Sequence, residues 1–371
     1  MVASVILAGI VIAACSNDGG VDVAQPSDIA SDSEVTILRT DAGLEFVRTP
    51  DERFEGLFEY PFEPNYVTID GLRMHYVDEG PADGEVVLLL HGEPSWSYLY
   101  RKMIPILADA GHRVIALDMM GMGRSDKPID LSVHTYAQEI DWVTRFIEAL
   151  DLQEITLFCQ DWGSLIGLRI VGDHPELFAR VVAANARLPV IPPGFNPFTV
   201  PEVIEIDPAK GGFAELRASM LGLAQPEAFQ LWIEYSLTAP NLTPSEVIEE
   251  LTANTLSAEE RAGYDAPYPS LIYKAAIRAF PSMIVAVEDE NAPAWAALQA
   301  YEKPFLTLFG RLDQNLGSEE TQKLLTENIP GARGQPHDQF QAHHFIQEDI
   351  GELLAERVNA FIADNPTSPS Q

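Results

Sequence analysis

The chain has 371 residues, 46% hydrophobic and 9% aromatic, which excludes a disordered or low-complexity protein and leaves room for two domains or one large α/β domain with an insertion. Asp and Glu number 56 against 23 Lys and Arg, a net charge of −33, which argues against nucleic-acid binding because phosphates would be repelled. The two cysteines, Cys15 and Cys159, exclude a disulfide framework and a cysteine zinc site, and none of the eight histidines stands in an H-E-x-x-H pattern, so no metal is expected.

Residues 2–14 are small or apolar and uncharged, too short a run to span a bilayer but suited to the apolar region of a signal peptide. The run ends Ile12-Ala13-Ala14-Cys15, which resembles a bacterial lipobox; cleavage before Cys15 and lipidation of its thiol would tether the chain to a membrane of the bacterial cell envelope. The run lacks a basic start, and the other reading is a start codon placed too far upstream, which leaves a cytoplasmic chain. Residues 16–34 are rich in Asp, Ser and Gly and read as an acidic flexible linker reaching to about 45; residues 365–371 are tail-like.

Residues 66–69 and 72–77 flank Asp70-Gly71, a hairpin signal. Short continuous apolar runs follow at 86–90, 114–117, 155–159, 181–184 and 305–309, each bounded by turn residues. Such runs suit strands buried on both faces of a parallel sheet. Amphipathic stretches at 136–150 and 319–328 read as helices, and a final helix is expected from about Asp349. The fold class is α/β, a mostly parallel, doubly wound sheet. Residues 188–290 hold no clear core strand, only Pro-rich joints and helical patterns, and are expected to form a helical cap inserted into a core of 46–187 and 291–365. Ligands bind at the carboxyl ends of such sheets, so the cap would roof the site.

The residues after four of these strands could carry chemistry. His91-Gly92-Glu93-Pro94 follows the first, where Gly92 allows a tight turn and the next amide could meet a developing oxyanion. Cys159-Gln160-Asp161-Trp162-Gly163 stands between strand and helix in the pattern of a nucleophile elbow, with Asp161 in place of the usual Ser; a plain helix cap is the alternative. Cys159 is the small residue that an elbow needs. Asp313, after the late strand, and His344, before the last helix, complete the order nucleophile, acid, base. A carboxylate is ionised at neutral pH, so it can displace a leaving group from an sp³ carbon and form an ester. His344 can then activate water, with Asp313 orienting the imidazole. The absence of G-x-S-x-G argues against an esterase or lipase.

At these residues the chain resembles the haloalkane dehalogenases of the α/β-hydrolase fold, especially the branch that includes the enzyme acting on 1,2-dichloroethane. The resemblance covers about 47–362 and rests on Arg48-Thr49-Pro50-Asp51, Tyr60-Pro61-Phe62, HGEPSWSYLYRKMIP (91–105), GMGRSDKP (121–128), QDWG (160–163), APYP (266–269) and HFIQED (344–349). It implies Asp161 as nucleophile, His344 as base, Asp313 as acid, and the backbone N–H groups of Glu93 and Trp162 as oxyanion donors. It also implies that two indoles bind the leaving halide: Trp162 and, through Phe229-Gln230-Leu231-Trp232, Trp232, with Phe229 lining the pocket. A second alignment through Gly212-Phe213 puts Leu216 at the cap position instead. An indole N–H donates and cannot accept, which suits a halide in a dry pocket. His343 departs from the small residue frequent before the base. The implied partners are a small haloalkane, water and halide, with no cofactor. An epoxide hydrolase shares the fold, the Asp nucleophile and Trp162, and the cap holds Tyr235, Tyr264, Tyr268 and Tyr273 that could serve it. A non-catalytic, ligand-binding lipoprotein is the third reading.

Overall fold

The computed structural model describes residues 35–367 apart from 193 and 288. Cys15, the apolar run before it and the acidic stretch to residue 34 lie outside the described residues. The strands are β1 (Leu38–Arg39), β2 (Glu45–Val47), β3 (Asn65–Ile69), β4 (Leu72–Glu79), β5 (Val86–Leu90), β6 (Arg113–Leu117), β7 (Lys127–Pro128), β8 (Ile155–Gln160), β9 (Phe178–Ala184), β10 (Phe305–Gly310) and β11 (Asp338–Phe340). The helices are α1 (Ile104–Asp109), α2 (Tyr136–Ala149), α3 (Trp162–Asp173), α4 (Phe213–Met220), α5 (Gln225–Thr238), α6 (Pro244–Glu250), α7 (Ala258–Asp265), α8 (Ala275–Met283), α9 (Ala292–Leu298), α10 (Glu319–Asn328) and α11 (Ile346–Asp364).

Eight strands form one sheet in the order β11-β10-β9-β8-β5-β6-β4-β3. From β11 to β6 every neighbour runs parallel, and β4 and β3 close the edge antiparallel. The central strands β8 and β10 are buried along their whole length, as their unbroken apolar runs require. The expected hairpin joins β3 to β4, with Asp70 at φ 54 and Gly71 at φ 81, the conformation of a two-residue primed turn. Helices α2, α3 and α9 pack as one layer, and α1 packs with α11 as another. Among the described residues no strand falls between β9 and β10; that span carries α4 to α9, and α9 packs on α3 in the core layer.

Two expectations need correction. The end of the presumed linker is folded: β1 pairs antiparallel with β2, Leu38 opposite Phe46, across a turn closed by Gly43 at φ 88 and a Leu44 N–H to Thr40 Oγ1 bond of 3.2 Å. β2 then pairs with β7, so this small sheet clasps the core. The last helix starts at Ile346, not Asp349, and breaks helical geometry at Ile350 (φ −144, ψ 37). Asp349 is instead an anchor, accepting from the backbone N–H of His343 (2.8 Å) and of Ala253 in the cap (2.7 Å).

A buried ion cluster joins core to cap beside this turn. Arg101 grips Glu348 with both terminal nitrogens at 2.7 Å, and its Nη2 reaches Glu260 of α7 at 2.8 Å. Lys102 Nζ adds a bond to Glu348 at 2.6 Å. Burial by itself would raise the Glu348 carboxyl, but Arg101 and then Lys102 outweigh it and hold the group down at about 2. The stabilisation is therefore present above the ordinary value of 4.5 and lost as pH falls toward about 2. Glu348→Gln takes the buried carboxylate from Lys102 and leaves Arg101 to Glu260, and is expected to cost about 3 kcal/mol at neutral pH. Denaturant melts across pH check this: the gap to wild type closes toward pH 2, and a gap independent of pH would contradict it.

Candidate active site

β8 delivers Asp161 to the carboxyl edge of the sheet, and α3 starts at the next residue. Asp161 sits at φ 51 and ψ −129, a conformation that costs a non-glycine residue free energy and needs support from its surroundings. The support is dense. Asp161 N–H donates to Asn185 O (3.3 Å), and Asp161 O accepts from Ser164 N–H (2.8 Å) and Ser164 Oγ (2.6 Å). Two glycines make the approach sterically feasible. A Cβ at Gly163 would lie 2.2 Å from Leu90 O, and one at Gly92 would lie 2.4 Å from Asp161 Oδ1. Gly92 is thus needed for space; its φ is not positive, so the tight-turn freedom expected of it is not what it supplies.

The structure brings Asp161, His344 and Asp313 together. His344 Nδ1 lies 2.9 Å from Asp313 Oδ2, and Nε2 lies 3.3 Å from Asp161 Oδ2. The other oxygen, Asp161 Oδ1, accepts from Glu93 N–H at 3.0 Å. Trp162 is the first residue of α3, so its N–H has no acceptor within the helix; it makes no hydrogen bond to the carboxylate here. Asp313 Oδ1 accepts from Asn315 N–H at 2.7 Å, which fixes the acid. His344 and Asp313 are each only 5% exposed. Burial alone would lower the imidazole, but Asp313 and Asp161, acting by charge and hydrogen bond, push it up to about 10. Burial, then the Asp161 charge, raises the Glu93 carboxyl well above its usual range. Cys159 is buried in β8, where burial raises its thiol, and it faces Val182 O at 3.8 Å.

A cavity of about 380 Å³ opens over this group, lined by Asp161, His344, Glu93, Trp162, Phe229 and Trp232 among others. Phe229 and Trp232 share one face of α5, and Phe213 meets the Trp232 ring edge-on at 5.3 Å. Leu216 lines a separate, smaller cavity with Tyr235, so Trp232 is the cap residue that faces Asp161. Neither the Trp162 nor the Trp232 indole nitrogen has an acceptor among the described residues. No tyrosine lines the cavity among the described residues; Tyr264 is occupied with Glu348.

Two polar residues went unnoticed in the sequence. Gln160 Nε2 donates to His344 O at 3.1 Å and touches His344 Nε2 at 3.3 Å. Asn185, at φ 39, binds three segments at once. Its O accepts from Asp161 N–H, its Oδ1 accepts from Gly310 N–H (2.6 Å), and its Nδ2 donates to His343 O (2.9 Å). The Asp161 turn, the end of β10 and the loop before His344 meet at that one residue, the first at its backbone carbonyl and the other two at its carboxamide. The available signal was an Asn immediately after an apolar strand, a residue that tolerates the left-handed region.

Comparison with known proteins agrees with this geometry. A family model described as alpha/beta hydrolase fold matches residues 85–349. A haloalkane dehalogenase of Mycobacterium marinum is 44% identical over 325 residues, covering 85% of this chain and 99% of that protein. One from Psychrobacter cryohalolentis is 41% identical over 334 residues, covering 87% and 100%. The tetrameric structure of haloalkane dehalogenase DpaA from Paraglaciecola agarilytica is 33% identical with a TM-score of 0.69, covering 84% of this chain and 97% of its own.

The paired anions make a direct prediction. The stability that protonated His344 brings is present below its ordinary value near 6.5 and is lost as pH rises through about 10. Asp161→Asn removes one anion, so the imidazole should titrate lower in that variant. Nitrogen NMR titration of His344 reads both values, and a neutral wild-type imidazole at pH 7 would contradict the arrangement.

Proposed function

The chain belongs to the haloalkane dehalogenases of the α/β-hydrolase fold, and from that premise we propose a mechanism and a role for each site residue. The observation that carries the proposal is the carboxylate of Asp161, with one oxygen held by Glu93 N–H and the other at His344, at the floor of a cavity walled by two indoles.

Asp161 Oδ2 attacks the halogen-bearing carbon, the carbon–halogen electron pair leaves with the halide, and an alkyl ester of Asp161 forms. The indole N–H groups of Trp162 and Trp232 donate to the departing halide. Esterification removes the Asp161 charge, so His344 now faces Asp313 alone. Its pKa falls, it releases a proton and becomes a base. The imidazole takes a proton from water as the water oxygen adds to Cγ of Asp161. Negative charge develops on Oδ1, where Glu93 N–H already donates and the unpaired N–H of Trp162 is at hand. Collapse expels the alkoxide, which takes its proton from His344, and the Asp161 carboxyl returns its own proton to the imidazole. The sum is alcohol, halide and one proton, with no cofactor required. The absence of tyrosine from the cavity walls among the described residues weighs against epoxide hydrolysis, which needs hydroxyl donors to the epoxide oxygen.

Halide release from 1-bromobutane and 1,2-dibromoethane tests the proposal. Asp161→Asn should abolish it. Trp232→Phe removes one donor to an anion and should lower kcat/KM about ten- to a hundredfold, whereas Leu216→Ala should leave it near wild type. Wild-type kinetics in Trp232→Phe would remove that indole from halide binding, and turnover of 1,2-epoxyhexane in place of the bromides would overturn the proposal.

A further inference from the structure

An apolar substrate does not need everything that lines this cavity. Two arginines face it, Arg187 from the segment that leaves β9 and Arg217 from α4. Arg187 is tied to the nucleophile through one hydroxyl: its N–H donates to Ser164 Oγ (3.2 Å), which donates to the Asp161 carbonyl (2.6 Å). It therefore stands at a fixed offset from the reacting carboxylate. Yet its guanidinium donates no hydrogen bond and pairs with no carboxylate among the described residues, and its partial burial lowers its pKa with no charge to offset the effect. Asp161 does not serve as its partner, since its oxygens are engaged by Glu93 N–H and His344. Burial raises the Glu93 carboxyl well above its usual range, which disfavours the charged form that would pair with a guanidinium.

The chain has 56 acidic residues against 23 basic ones, so carboxylates are in good supply. The buried Arg101 and Arg180 each find a carboxylate, Glu348 at 2.7 Å and Glu85 at 3.4 Å. A guanidinium carries five donors and cannot shed its proton, so burying it without an acceptor is costly. A ligand anion would supply the acceptor, and the planar fork matches a carboxylate through two parallel bonds.

We propose that the cavity takes haloalkanes bearing a carboxylate at the end remote from the halogen, the ω-haloalkanoates, and that Arg187 holds that carboxylate while the halogen lies at Asp161. The proposal rests on the dehalogenase mechanism above and adds its substrate class. The aromatic wall of Phe229, Trp162 and Trp232 would hold the methylene chain between the two ends. Arg187 is then a specificity-determining residue that takes no part in bond making.

The test compares bromide release from 6-bromohexanoate and 1-bromohexane, and calorimetric binding of hexanoate, in wild type, Arg187→Gln and Arg187→Lys. Salt at about 0.15 M screens the overall charge of −33 beyond about 8 Å. Arg187→Gln should lower the ratio of kcat/KM for the acid to that for the neutral bromide about ten- to a hundredfold and weaken hexanoate by a similar factor. Arg187→Lys keeps the charge without the fork and should fall between. A ratio unchanged by Arg187→Gln would overturn the proposal, because an arginine that served the halide would depress both substrates together. Equal hexanoate binding by wild type and Arg187→Gln would also overturn it. Absence of bromide release from both substrates would fail the dehalogenase mechanism itself, and hexanoate binding would still decide the assignment of Arg187.

Discussion

The site depends on a single backbone turn in which a non-glycine residue is held at φ 51 and ψ −129. Such a conformation costs on the order of 1–3 kcal/mol and persists only where the surroundings over-determine it. Here they do so from four sides. The fully buried β8 leads in, α3 leads out, Asn185 O receives the Asp161 N–H, and Ser164 secures its carbonyl. The turn lifts the carboxylate clear of the sheet, so its two oxygens face different partners. The glycines at 92 and 163 leave just enough room, with a Cβ at either falling within 2.4 Å of its neighbour.

Charge is arranged around that turn with equal economy. His344 lies between two carboxylates, and in the proposed cycle one of them loses its charge at the moment a base is required. The imidazole thereby changes from a stabilised cation to a proton acceptor through the chemistry itself. A few residues along the chain, the Arg101–Glu348 cluster is the opposite case, a pairing untouched by the proposed chemistry that joins the core to α7. Burial and the Asp161 charge raise the Glu93 carboxyl on the cavity wall. Arg187 on the cavity wall has no carboxylate partner among the described residues, and the proposed substrate carboxylate would supply one.

Much of this was legible in the residues. Unbroken apolar runs marked the parallel strands because burial on both faces leaves no alternation, and the acids and histidine that follow them stood in the order of a hydrolase triad. What escaped notice has physical reasons. β11 is three half-buried residues, Asp338–Phe340, with no apolar signature, and its place is set by pairing with β10. The β1–β2 hairpin looked like linker because its partner β7 lies some eighty residues on in the chain. Asn185 and Arg187 follow an apolar strand with no motif around them, and their contacts come from segments distant in the chain. Trp232 and Leu216 competed for one position because two Phe-x-x spacings fit the cap. Only three-dimensional packing sends Leu216 to a different cavity.

The most direct test of the account is to catch the ester. His344→Ala leaves Asp161 able to attack while removing the base that releases the alcohol. The variant, incubated with 1-bromohexane and analysed by intact-protein and peptide mass spectrometry, should gain one hexyl group, located on the peptide that contains Asp161. An unmodified protein, or a hexyl group on any other residue, would contradict the assignment of Asp161 as the nucleophile.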